Sequence, residues 1–223
     1  MIALSFEASY GSFRTSFARS YAETYTLPPP STIYGMLLSL VGERQRRSHL
    51  GVRLAIAFVN QPRLSTVLKK LSRYKYGVPS KQASKGNAPD YVEVLCGIEG
   101  RIFIDSSAEL ASVTLEERIS KAIDSPEQVE RTGVLCLGLS DDMVDVSRFD
   151  PTQDESKVQW LTPHDGGSLE LPVWVDHVGS ADTRWRRFRL TNSDDSSSPS
   201  EIQWITIQPP EKLCSTRVAL PSA

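Results

Sequence analysis

Three consecutive prolines within Leu27-Pro28-Pro29-Pro30-Ser31-Thr32-Ile33-Tyr34-Gly35-Met36-Leu37 set a boundary that any fold of this chain must respect. A proline run cannot continue a hydrogen-bonded strand, and Ser31 can offer its side-chain oxygen to the free N–H groups of a helix beginning there. Ile33, Leu37, Leu40 and Val41 recur at helical spacing behind that start, which predicts one apolar stripe packed on a sheet. The first turn would then point the Ser31 and Thr32 hydroxyls and several unpaired N–H groups outward, an arrangement that suits a phosphate.

Around this boundary the pattern is mixed. Ile2, Leu4, Phe6, Ala8 and Tyr10 alternate with Ala3, Ser5, Glu7 and Ser9, the period of a strand with one buried face. Residues 53–59 read as a second strand, broken by Asn60-Gln61-Pro62, and 91–98 and 101–104 as consecutive strands across a turn at Gly100. Residues 114–123 predict a helix with Thr114 as cap and Glu117 in the capping-box position. Residues 133–139 read as a buried strand, and 171–175, 185–190 and 202–207 as shorter ones. The order β, α, β, β, α, β over the first two-thirds predicts an α+β fold with a ferredoxin-like unit.

Charge is distributed unevenly. Of 25 basic and 27 acidic residues, 13 basic and three acidic (Glu7, Glu23, Glu43) fall in 1–89, so this part carries +10 and the rest −12. One face is therefore expected to meet a polyanion, unless the asymmetry is only an uneven solvated surface. Within 69–89, Lys69, Lys70, Arg73, Lys75, Lys81 and Lys85 interleave with Tyr74 and Tyr76 among Gly77, Pro79, Gly86 and Pro89. Such an arm can fold on a nucleic-acid backbone while its rings stack on bases, or it is an ordinary exposed loop. No apolar run approaches the roughly 20 residues that span a bilayer. No basic segment followed by an apolar block opens the chain, so a cytoplasmic protein without membrane contact is expected. Cys96, Cys136 and Cys214 lack metal-site or disulfide spacing. Residues 192–200 read as a Ser/Asp-rich loop.

The first strand followed by Ser12-Phe13-Arg14, the Pro28 to Leu37 helix start, and Leu135-Cys136-Leu137-Gly138-Leu139-Ser140 running into Val144-Asp145-Val146 together resemble the CRISPR-associated protein five family. The resemblance covers roughly residues 1–150, and type I-B complexes, including a Myxococcus-type branch, look closest. It implies a RAMP-type, modified RNA-recognition fold over 1–223, with a β-hairpin thumb at about 69–95 and a β-rich C-terminal extension at about 150–223. It further implies a subunit of a type I Cascade complex bound to the 5′ handle of CRISPR RNA at the foot of the backbone filament. The backbone and large subunits would be its protein partners, and target DNA would be met only through the complex.

Carried onto this chain, the expected RNA-contacting residues are Ser12, Phe13, Arg14, Arg19, Ser31, Thr32, Arg46, Arg47, Arg73, Lys75, Tyr76, Lys81 and Lys85. Several have plainer alternatives. Arg14 fits a phosphate or guanine edge but also an ion pair with Glu7 or Glu23. Phe13 suits base stacking or the rim of the core. Ser31 and Thr32 are helix caps first, and Arg44, Arg46 and Arg47 complement a helix C-terminus. Gly166-Gly167 reads as a turn rather than an RNA-binding loop.

Metal-free RNA cleavage needs groups that activate the 2′-hydroxyl and protonate the leaving oxygen. His49 is expected exposed after a basic helix end, His164 lies in a Pro-His-Asp-Gly-Gly turn, and His177 follows Asp176 on a strand, where neighbours point to opposite faces. Each is expected to be structural, so no catalytic residue, metal or cofactor is assigned. The alternatives are an endoribonuclease that processes precursor CRISPR RNA with Tyr76, Lys81 and one histidine, and a general RNA-binding domain.

Overall fold

A computed structural model describes residues 1–15, 21–72, 87–154, 156–175, 183–193 and 197–210. Arg19, Arg73, Lys75, Tyr76, Lys81, Lys85, His177 and Cys214 lie outside the described residues.

The strands are β1 (Ile2–Gly11), β2 (Arg53–Phe58), β3 (Arg63–Ser72), β4 (Asn87–Asp105), β5 (Asp145–Arg148), β6 (Val158–Pro163), β7 (Leu169–Trp174), β8 (Arg184–Ser193) and β9 (Ile205–Thr206). Helix α1 (Pro30–Leu40) joins β1 to β2, and α2 (Leu115–Asp124) lies between β4 and β5. The strands form one sheet in the order β5-β1-β4-β2-β6-β8-β7, with β3 paired to β4 and β9 to β2. Each of these pairings is antiparallel.

The alternation in β1 buries Leu4, Phe6 and Ala8 and leaves Glu7 and Ser9 outside. Ala3 is buried as well, because the other side of the sheet carries a second cluster of Ala3, Ala55, Ala57, Phe103, Val158 and Trp160. Tyr10, expected on the buried face, is 44% exposed and donates from its hydroxyl to the Asp141 carbonyl. The main core lies on the α1 side, where Ile33, Tyr34, Leu37, Leu54, Ile56, Phe58, Trp174 and Phe188 are all buried. Each large apolar side chain so buried contributes about 1.5–3 kcal/mol before the entropy of ordering is counted. Helix α1 is apolar well beyond one stripe, since Met36, Leu38 and Leu40 are buried too, and it packs on β7 and α2.

Two expected boundaries are corrected. Residues 91–104 are not two strands across a turn at Gly100 but part of the single 19-residue β4. Gly100 is needed for close approach: a Cβ there would lie 2.5 Å from the Phe6 ring and 2.7 Å from the Ala57 carbonyl. Residues 133–139 form a loop rather than a strand, pinned by one bridge between Cys136 and Met143. Strand β6 was not expected from the sequence, and β8 runs from Arg184 to Ser193, beyond the expected 185–190, because its outer positions carry Arg186, Arg187, Arg189 and Asn192 rather than apolar side chains. Helix α2 has the expected cap, with Glu117 N–H donating to Thr114 Oγ1 at 3.2 Å and Thr114 N–H to Glu117 Oε2 at 3.0 Å.

Candidate nucleic-acid interface

The end of β1, the first turn of α1 and the start of β8 converge on an open pocket of about 840 Å³. Ser12, Phe13, Arg14, Ser31, Thr32 and Arg46, which come from three separate parts of the sequence, all line it.

Backbone hydrogen bonds to buried side chains hold the β1 end in place. Ser12 N–H donates to Asp142 Oδ2 at 2.7 Å, and Leu139 N–H donates to the same oxygen at 3.0 Å, so one buried carboxylate ties β1 to the 136–142 loop. Gly138 in that loop has φ +110°, and a Cβ on it would lie 2.7 Å from the Ser12 carbonyl. Phe13 N–H donates to Thr24 Oγ1 at 2.8 Å, and Thr24 N–H donates to Glu93 Oε2 on β4 at 3.0 Å. Phe13 itself is only 4% exposed and packs in the core, so its ring forms a wall of the pocket. Arg14, two residues past the bound Ser12, is exposed at the mouth.

The helix start differs from its expected form. Pro29 is the N-cap and Pro30 the first helical residue, with no side-chain cap, so Ser31 does not cap the helix. Thr32 and Ile33 both donate their N–H groups to the Pro29 carbonyl, at 2.9 and 3.1 Å, and Pro30 has no N–H. Fewer donors therefore face the pocket than a serine-capped helix would present. Ser31 is 3% exposed, and its carbonyl accepts from Arg46 Nη2 at 2.6 Å.

Arg46 and Arg47 are likewise not at the helix C-terminus, which comes at Leu40. The chain folds back so that Arg46 lies 5.5 Å from the Tyr34 ring centre and 5.3 Å from that of Trp174. These contacts, and Tyr34 Oη donating to the Arg46 carbonyl at 2.8 Å, seat a cation in the pocket wall. Burial pushes the Tyr34 hydroxyl far above its ordinary pKa. Arg47 is exposed over Trp174 at 5.7 Å and does not line the pocket.

Sequence reasoning missed two aromatic lining residues, Tyr25 and Trp185, whose rings are 6.2 Å apart at 59° and both half-buried. Half-buried rings beside a cation are what an unpaired base stacks on. The available signal was Trp185 inside Arg184-Trp185-Arg186-Arg187-Phe188-Arg189. Cys136, also on the wall, has its thiol pKa raised by burial and by the Asp142 carboxylate.

His49 and His164 do not line this pocket. His49 is 1% exposed, contrary to the expectation, because its Nδ1 meets the buried Glu109 carboxylate and its Nε2 lies 3.0 Å from Arg118 Nη1. Arginine has only donors, so Nε2 is the acceptor and the proton sits on Nδ1 toward Glu109. Arg118 also holds Glu43 at 2.6 Å and the Val41 carbonyl at 3.1 Å. His164 Nδ1 accepts from Gly166 N–H at 3.1 Å, and a Cβ on Gly167 would lie 2.2 Å from the Phe188 carbonyl, so Gly166-Gly167 is a tight turn. Among the described residues no group of three or more His, Cys, Asp or Glu side chains is arranged to hold a metal ion, and no helix is long and apolar enough to cross a membrane.

A family model described as CRISPR-associated protein (Cas_Cas5) matches residues 1–128. A relative named CRISPR-associated protein Cas5, from Myxococcus xanthus (strain DK1622), is 37% identical over 192 residues, 85% of this chain and 90% of the relative. A solved chain of a CRISPR RNA-guided surveillance complex has a TM-score of 0.59 at 13% identity, covering 91% of this chain and 95% of its own. Another, titled as the crystal structure of a Cas protein, has a TM-score of 0.51 at 14% identity, covering 89% and 97%.

Proposed function

The chain belongs to the CRISPR-associated Cas5 family, and we propose that it is the non-catalytic RNA-binding subunit of a type I CRISPR effector complex. In this reading it binds the 5′ handle of CRISPR RNA and caps the foot of the backbone filament beside the large subunit. The observation that carries the reading is the pocket. Six residues named for RNA contact from separate stretches meet there, beside an aromatic pair that can stack an unpaired base.

The topology supports the same reading. Taken in chain order, β1, α1, β2, β4, α2 and β5, with the sheet order β5-β1-β4-β2, are consistent with a ferredoxin-like reading. β3 and the first half of β4 pair antiparallel from Arg63↔Cys96 to Ser72↔Asn87, a pairing we assign as the base of the thumb. Leu64, Leu68 and Tyr91 on it are 53–60% exposed, as expected of an element completed by a partner or RNA. A non-catalytic role fits the two described histidines, since His49 is enclosed by Glu109 and Arg118 and His164 is engaged in its turn.

The test is binding of the chain, alone and with its neighbouring subunits, to CRISPR RNA whose handle is intact, scrambled or removed, at fixed salt. Handle-dependent assembly is expected. Equal behaviour with all three RNAs would refute the handle assignment, and specific cleavage of repeat RNA in EDTA would refute the non-catalytic one.

A further inference from the structure

Strand β8 carries Arg184, Arg186, Arg187 and Arg189, four arginines in six positions, inside the part of the chain whose net charge is −12. Arg186, Arg187 and Arg189 are exposed. Elsewhere Arg53, Arg101, Arg118 and Arg148 each hold a carboxylate, whereas among the described residues no hydrogen bond or ion pair engages the four guanidinium groups of β8. Four cations on one strand that no described residue pairs repel one another, a cost in stability that an anion would relieve.

The register says which way they face. Thr162↔Arg189 and Trp160↔Thr191 put Arg187 and Arg189 on the side of Trp160, away from α1, and Arg186 shares the α1 side with Phe188. Glu170 stands opposite Arg187 and is the carboxylate that β7 presents there, while β6 presents Thr162 opposite Arg189. The pairing with β7 begins at Leu169↔Phe188, so Arg189 lies where β8 has no outer neighbour among the described residues. Alternate residues of a strand are about 6.6–6.8 Å apart, comparable to the step between successive phosphates of an extended nucleic-acid strand. The rings beside Arg187 and Arg189 are taken: Trp160 is 1% exposed, Phe149 and Trp204 lie under Arg101 and Arg53, and Trp185 packs against Tyr25 in the pocket. Contact here would therefore be to phosphates rather than bases.

We propose that β8 is a second nucleic-acid-binding element, in which Arg186, Arg187 and Arg189 take the phosphate backbone of RNA or DNA without regard to sequence. It is distinct from the pocket, and it stands or falls separately from the handle assignment.

The experiment titrates salt against binding of the full chain to a labelled RNA of unrelated sequence and, in a parallel arm, to an unrelated DNA duplex. Replacing all three arginines (R186S/R187S/R189S) is expected to flatten the slope of log K against log salt by up to about 2 on RNA and about 2.7 on duplex DNA, at 0.7 and 0.9 per phosphate contact. A flattening in one arm only identifies that nucleic acid as the ligand. The variant R186K/R187K/R189K keeps the charges and is expected to restore the slope, which a merely structural role of arginine would not allow. Unchanged slopes in both arms, or a flattening that lysine does not restore, would overturn the proposal. Handle preference is read on intact-handle RNA with W185A, so its loss bears on the pocket and not on Arg186, Arg187 and Arg189.

Discussion

Replacing Asp142 tests how the pocket is built. Its Oδ2 accepts both Ser12 N–H at 2.7 Å and Leu139 N–H at 3.0 Å, and the residue is 1% exposed. In D142A both donors lose a charged acceptor, and the Ser12 N–H stays buried with none. At the low end of the 1.5–3 kcal/mol assigned to each hydrogen bond with a charged group, the loss is about 3 kcal/mol. For a chain of this size that corresponds to a fall in Tm of about 6–12 °C. D142N can place its Oδ1 where Oδ2 was and keep both bonds as neutral ones, so about 1 kcal/mol is expected. Urea melts of the three proteins give the ranking, and RNA binding measured below the melting range shows whether the β1 end still positions Arg14. D142A within about 0.5 kcal/mol of the parent, half the net worth of one ordinary hydrogen bond, would refute the reasoning. D142N as damaging as D142A would show that the charge, and not the two N–H bonds, carries the effect.

Three further outcomes are expected. W185A removes one ring of the aromatic pair and should weaken handle RNA by about 5- to 150-fold, the range of a lost stack worth about 1–3 kcal/mol, with the melt unchanged; fluorescence anisotropy reads it, and undiminished affinity would remove Trp185 from the interface. R118M strips Glu43, His49 Nε2 and the Val41 carbonyl of their donor and should cost about 2 kcal/mol in urea unfolding. That is less than a fully buried pair, because Arg118 is 28% and Glu43 17% exposed. Acid should destabilise the fold: burial pushes the Glu43, Asp105 and Asp154 carboxyls upward, but hydrogen bonds from arginines and nearby N–H or hydroxyl groups outweigh it and hold them below their ordinary values of 4.5, 3.8 and 3.8. Folded pKa values below unfolded ones give stability that is complete above about pH 5 and lost as pH falls through the folded values. A urea midpoint that holds steady from pH 7 to 5 and then drops is the expected profile, and a midpoint unchanged at pH 3 would contradict it.

The parts of the fold written in local periodicity or capping chemistry were legible in the sequence: the alternation of β1, the β2 run ended by Asn60-Gln61-Pro62, and the Thr114/Glu117 box. What was misread depends on distant partners. Gly100 looked like a turn because the Phe6 ring that requires it lies 94 positions away in sequence, across the β1/β4 pairing. His49 looked exposed because its partner Glu109 comes 60 residues later. Ser31 looked like a cap because the proline before it gives no sign that the helix begins one residue earlier. For the site, the β1 end and the α1 start were legible through their motifs, and the structure brings them together. Trp185 and Tyr25 were not, since half-buried rings acquire meaning only when β8 is seen to close the pocket. Residues 73–86 of the basic arm at 69–89 fall outside the described residues.

Photocross-linking of handle RNA to this chain tests the central claim most directly. CRISPR RNA carrying 4-thiouridine at successive handle positions is bound, irradiated and digested, and the linked peptides are sequenced. The account predicts adducts on peptides containing Ser12 to Arg14, Tyr25, Ser31 to Arg46 and Trp185, the walls of the pocket. Adducts confined to other peptides, or equal labelling by RNA with a scrambled handle, would contradict it.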